Sequence, residues 1–190
     1  MAKKIYIGLV GEAGSGKDTT ARILKEQYKA RILTSSYLLK KSLGIFLEKI
    51  SRRDYIWFVK KLTKKYGEDI ISRAMLKSMR EFKDKIVVFN GVRLPSDYRI
   101  LREQKDSILI YITAGAKLRW KRSKKRQQKT DDSASWQEFI AMHYEKTEIN
   151  VPKIGAKADY KIKNDGTLED LEKKVTDLMD KILKDNNHIK

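Results

Sequence analysis

Apolar residues recur along this chain with two different spacings. Short runs rich in β-branched and aromatic residues occur at Lys3–Val10, Arg31–Thr34, Lys85–Asn90, Ser107–Ile112 and, more weakly, Tyr160–Lys163. Runs of that length and composition predict strands buried on both faces of a parallel sheet. Between them the spacing turns helical. Asp18–Lys29 places Ala21, Leu24 and Tyr28 on one face and Arg22, Lys25 and Lys29 towards water. Ser36 is the expected cap of a helix carrying Leu38, Leu39, Leu43, Phe46 and Leu47, followed by helices over Arg53–Tyr66 and Glu68–Phe82. Further helices are predicted at Ser96–Glu103 behind Pro95, at Lys117–Lys129 and at Trp136–Lys146. Thr167 and Asp170 have capping-box spacing ahead of a last helix bearing Leu168, Leu171, Val175, Leu178 and Ile182.

Parallel neighbours need crossover connections, so strands alternating with helices predict an α/β fold of three layers around a five-stranded parallel sheet. The 190 residues suit one domain over residues 1–190, with no linker, repeat or low-complexity tract. Ligands of such folds gather at the carboxyl ends of the strands, here Gly11, Asn90–Arg93 and Thr113–Gly115.

Composition narrows the chemistry. The chain has no cysteine, which removes disulfides, thiolate catalysis and cysteine-ligated zinc and suits a reducing cytoplasm. His143 and His188 are too few for a ligand set. The apolar run Ile5–Val10 is too short for a secretory core, and no stretch is long enough to span a bilayer, so no membrane partner is expected. The net charge of +18 favours anionic partners, whether nucleotides or nucleic acid, against the plainer reading of a lysine-rich solvated surface.

Gly11-Glu12-Ala13-Gly14-Ser15-Gly16-Lys17 has the spacing of a P-loop, placed between a predicted strand and a predicted helix. In such a loop successive backbone amides turn inward around a phosphate chain, the lysine adds a point charge, and the helix directs its positive end at the same anions. Gly11, Ala13, Gly14, Ser15, Gly16 and Lys17 are therefore the expected ATP-binding residues, with Asp18 and Thr19 following. Many P-loops put a hydroxyl on Mg²⁺ where Asp18 stands. Two readings of Asp18 are open: a carboxylate that holds the ion through water, or a cap for the helix.

The loop followed by Asp18-Thr19-Thr20 resembles the nucleoside monophosphate kinase group of P-loop proteins, and further segments extend the likeness over nearly the whole chain. The resemblance implies a P-loop NTPase fold with an acceptor-binding helical region near residues 35–83 and a basic lid near 116–135. Leu33–Lys40 is similar to the adenylate kinase segment that reaches the acceptor, with Ser35 and Lys40 at the matching positions. Val87–Arg93 is similar to the strand and turn whose arginine grips the acceptor phosphate, a role implied for Arg93 and extended to Arg53. Asn90 stands where that group usually carries the aspartate that organises water around Mg²⁺, which makes it the third expected metal-site residue beside Asp18 and Thr19. Arg119, Arg122 and Arg126 lie in the lid-like segment, where Lys117–Lys129 holds eight basic residues and no acid. Arg122 and Arg126 would close on the transferring phosphoryl group, and arginine forks suit that task. Ala158–Gly166 resembles the closing strand and turn of dephospho-CoA kinases near adenine, implying a cofactor contact for Asn164.

Lys17, Arg93, Arg122 and Arg126 are thus the expected catalytic residues of an enzyme using ATP and Mg²⁺ to phosphorylate a nucleotide-like small molecule, with dephospho-CoA as the alternative acceptor. A reading of another class, a nucleotide-regulated nucleic-acid-binding protein, rests on the charge excess alone. Monomer and homodimer are equally compatible with the sequence.

Overall fold

The computed structural model describes residues 4–126, 133–145 and 148–187. Five strands, β1 (Ile5–Val10), β2 (Arg31–Leu33), β3 (Ile86–Asn90), β4 (Ser107–Thr113) and β5 (Tyr160–Lys163), form one sheet in the order β2-β3-β1-β4-β5. All four pairings are parallel, as the strand–helix alternation predicts. β1 lies at the centre, where the connection order reverses, so the segment leaving its carboxyl end opens into the crevice between β3 and β4.

Alternate residues of each central strand feed two separate cores. Ile7, Leu9, Ile86, Val88, Ile110 and Ile112 pack against α1 (Lys17–Tyr28) and α9 (Leu168–Asn187) on one face. Val87, Phe89, Leu109 and Tyr111 pack on the other, against α4 (Ile70–Glu81), α5 (Pro95–Arg102) and α8 (Val151–Gly155). The period of two along a strand, with apolar residues at every position, makes the three layers.

Thr34 rather than Ser36 caps α2 (Ser35–Leu43), accepting from Tyr37 N, because the chain leaves extended geometry two residues earlier than the apolar spacing suggests. α3 (Arg52–Tyr66) opens on a capping box of Ser51 and Asp54, yet it has no buried residue and leaves Ile56 and Trp57 exposed. Its neighbour α4 buries Met75, Leu76 and Met79, so α4 anchors the helical region and α3 rides on it. α6 (Ala116–Arg126) covers the described part of the basic segment; the expected continuation to Lys129, and positions 127–132 of the lid, lie outside the described residues. α7 (Trp136–Ala141) is shorter than its apolar spacing suggests and passes into a 3₁₀ turn at Met142–Tyr144; the expected end at Lys146 lies outside the described residues. α8 has no counterpart in the sequence reading, because its five residues are too few to show a period.

One buried carboxylate shapes the turn after β3. Asp97 Oδ2 accepts from the backbone N–H groups of Arg93 and Leu94, each at 3.0 Å, and Oδ1 accepts from Ser72 Oγ at 2.6 Å. Replacing it leaves two amides and a hydroxyl without their acceptor inside the protein. Asp97→Ala is expected to lower stability by on the order of 3 kcal/mol in urea unfolding. A loss below about 0.5 kcal/mol would show that solvent reaches these groups.

Candidate functional site: a phosphate loop at the foot of an arginine-lined cavity

The loop between β1 and α1 is held in shape from behind. Gly16 has φ of 99°, a left-handed conformation, and a Cβ there would lie 2.2 Å from Asn164 Nδ2. That same amide nitrogen donates to Ser15 O at 2.8 Å. Arg119 Nη1 donates to Ala13 O at 3.2 Å, while its Nε donates to Ala114 O at 3.0 Å. These bonds hold the loop from the protein side, while Ala13 to Thr19 border the cavity on the other, the placement from which the amides of a P-loop meet an anion. No side chain caps α1, whose N-cap is Gly16.

Lys17 is buried, and its Nζ donates to Asp18 Oδ1 at 2.9 Å and Asn90 Oδ1 at 3.0 Å. Asn90 Nδ2 closes the triangle by donating to the same Asp18 oxygen at 3.1 Å. The ammonium is thereby aimed along the loop by groups from two elements. Asp18 stands in the first turn of α1, with its carboxylate half-exposed beside Lys17.

A cavity of about 800 Å³ opens above the loop. Ala13 to Thr19, Arg93, Arg122 and Arg126 all line it, and Arg22 and Arg52 add two further cations. Gly11 stands at the root of the loop, and Asn90 reaches the site through Lys17. Four expectations differ from what is found. Ser35, Lys40 and Arg53 do not line the cavity; Lys40, Arg52 and Arg53 are all exposed, and of the two α3 arginines it is Arg52 that borders it. Asn164 is buried behind the loop and supports it without reaching the cavity wall.

The three arginines of α6 have unequal surroundings although their spacing is helical. Arg119 is buried, hydrogen-bonded to carbonyls and stacked over Phe139 at 5.6 Å, and burial lowers its pKa. Arg122 is lashed to the turn after β5 through Asn164 O at 2.7 Å and Gly166 O at 2.8 Å. Arg126 occupies the far end of the described helix, over the cavity. Trp120 donates to Ala134 O and meets Trp136 edge-on, and Trp136 stacks on Phe139, which ties α6 to α7.

Sequence reasoning named Asp18 but assigned no role to the glutamates of this cavity. Glu12 is buried, and one of its oxygens accepts from the Tyr111 hydroxyl. Burial first, then Glu12, push that phenol up to about 12. Glu148 forms an ion pair with Arg93, and Glu145 lines the same wall. Glu12 is visible inside the glycine motif, but nothing in local spacing joins Glu148 to Arg93, since they are brought together only when α8 docks on the sheet.

No family model matches the chain. It is 29% identical over 178 residues to a UPF0200 protein of Saccharolobus solfataricus, with 93% of each chain covered. It is 28% identical over 186 residues to a UPF0200 protein of Methanocaldococcus jannaschii, covering 94% of this chain and 91% of that one. Among solved structures, a shikimate kinase from Bacteroides thetaiotaomicron matches with a TM-score of 0.65 at 15% identity, over 93% of this chain and 98% of that one. A shikimate kinase from Acinetobacter baumannii in complex with shikimate matches with a TM-score of 0.57 at 20% identity, over 94% of both chains. A dephospho-CoA kinase from Campylobacter jejuni matches with a TM-score of 0.60 at 18% identity, over 95% and 98%. The α/β fold with its five-stranded parallel sheet is therefore the fold of P-loop kinases.

Proposed function

We propose that the chain is a P-loop kinase that transfers the γ-phosphoryl group of ATP to a nucleotide-like small molecule. The observation that carries this reading is the meeting of a pinned phosphate loop, an aimed Lys17 ammonium and five arginines around one cavity. The loop amides and Lys17 would hold the phosphate chain, with Arg122 and Arg126 at the transferring group and Arg93 and Arg52 at the acceptor end. Such a step needs mainly positioning and charge neutralisation. The likeness to shikimate and dephospho-CoA kinases supports phosphoryl transfer as the class, and dephospho-CoA remains the alternative acceptor.

Mg²⁺ binds through one or two carboxylates, substrate phosphates and water. The Asp18 carboxylate, the Asn90 amide oxygen and the Thr19 hydroxyl at the phosphate end fit that requirement, while no group of three or more acidic or histidine ligands occurs among the described residues. The ion would add charge neutralisation at the phosphates; Lys17 and the arginines supply the remainder.

A second reading draws on α3, where exposed Trp57 lies on a helix with exposed Lys60, Lys61, Lys64 and Lys65, a surface compatible with single-stranded nucleic acid. Salt-dependent RNA or DNA binding, lost on Trp57→Ala with ATP binding intact, would support it.

Lys17→Ala is expected to leave less than about a tenth of wild-type phosphoryl transfer with an unchanged melting temperature; higher turnover would sink the loop's role. Gly16→Ala is strained twice, by its backbone and by Asn164, and should weaken ATP binding by at least about tenfold in calorimetry. Arg93→Ala should chiefly raise the acceptor's KM, whereas Arg126→Ala should chiefly lower kcat, as expected of a contact made mainly in the transition state. Equal effects of both variants on both constants would refute that division.

A further inference from the structure

Arg93 does not face the cavity as an isolated cation. It is paired with Glu148, whose side chain is 10% exposed. The second oxygen of that carboxylate, Oε2, has no hydrogen-bond partner among the described residues although it is buried. Glu148 is held in place by its backbone: its N–H donates to Glu145 O at 2.9 Å, and its carbonyl accepts from Val151 N at 3.0 Å. Val151 and Ile154 of α8 lie in the core beneath, so the carboxylate is carried on a fixed support. Both Glu148 and Arg93 line the cavity that the phosphate loop closes.

A buried acceptor oxygen left unmatched in a ligand cavity calls for a donor from the ligand. A phosphate dianion is not a donor, and beside Arg93 it would meet the negative charge of Glu148 at short range. A hydroxyl fits: its O–H matches Oε2, and its oxygen carries no charge for the carboxylate to repel. We infer that the acceptor group is a hydroxyl, such as that of a sugar or polyol, and that Glu148 is the general base that takes its proton, with Arg93 as its positioning residue.

This inference rests on the phosphotransfer reading of the cavity and narrows it. In the step, the acceptor oxygen forms a bond to the γ-phosphorus of ATP. The bond from that phosphorus to the β,γ-bridging oxygen breaks, its electron pair leaving with ADP, and the acceptor proton moves to Glu148 Oε2. The product is a phosphate ester. Transfer to a nucleoside monophosphate would instead give a phosphoanhydride and needs no base, because that nucleophile is already an anion.

The test uses the full chain with Mg²⁺ and ATP. Hydroxyl acceptors (adenosine, dephospho-CoA, shikimate) are compared with the nucleoside monophosphates, and ³¹P NMR identifies the product. ATP hydrolysis without an acceptor, where water is the hydroxyl donor, serves as a second readout that needs no identified acceptor. Glu148→Gln is expected to lower kcat, or the hydrolysis rate, by about a hundredfold with the KM for ATP within about threefold, and Glu148→Asp to restore part of it. Conversion of an added nucleoside monophosphate to its diphosphate in preference to every hydroxyl acceptor, hydrolysis by Glu148→Gln at the wild-type rate, or a loss seen with Glu12→Gln and not with Glu148→Gln would each overturn the assignment. Failure of the wild-type protein to bind ATP in calorimetry would instead overturn the phosphotransfer reading itself.

Discussion

The whole site depends on hydrogen bonds made to the outside of the phosphate loop. A chain of amides facing inward around empty space is unstable by itself, since its carbonyls must then point somewhere and be satisfied. Here Asn164 serves Ser15 O and Arg119 serves Ala13 O, and both donors are buried. Asn164 follows the last strand and Arg119 lies on α6, so elements from three distant stretches of chain must dock before the loop has its shape. That is why both are fixed parts of the fold while Arg126, from the same basic segment, reaches the cavity.

The fold was largely legible in the sequence because each central strand carries its own apolar period and each crossover helix its own stripe. Ile86, Val87, Val88 and Phe89 announce a strand buried on both sides wherever they occur. The glycine loop was legible for the same local reason: its conformation is encoded within seven residues. What could not be read was which side of a helix meets which neighbour. Arg52 and Arg53 are equivalent in sequence and both exposed, and only the lie of α3 on α4 puts one of them at the cavity rim. Arg119 shares its spacing with Arg122, yet packing against Phe139 commits it to the interior.

Acids and bases in the cavity are also distributed by tertiary structure. A net charge of +18 suggests a site that is uniformly positive, but Glu12, Asp18, Glu145 and Glu148 line the same walls as the arginines. The excess charge therefore resides mostly on solvated surface, and the cavity itself is a mixed environment suited to a ligand with both anionic and donor groups. The likenesses in sequence and in structure bear on the fold; which ligand the cavity suits is decided by these side chains.

The carboxylate of Asp97 adds a polar tie between α4 and the turn after β3, parts that already share an apolar core. One of its oxygens is bound by Ser72 of α4, the other by the backbone that carries Arg93. A displacement of α4 that left the Arg93 turn in place would have to break a buried hydrogen bond, at a cost on the order of 1–3 kcal/mol. The turn that presents Arg93 to the cavity is therefore fastened to the helical region by one buried carboxylate.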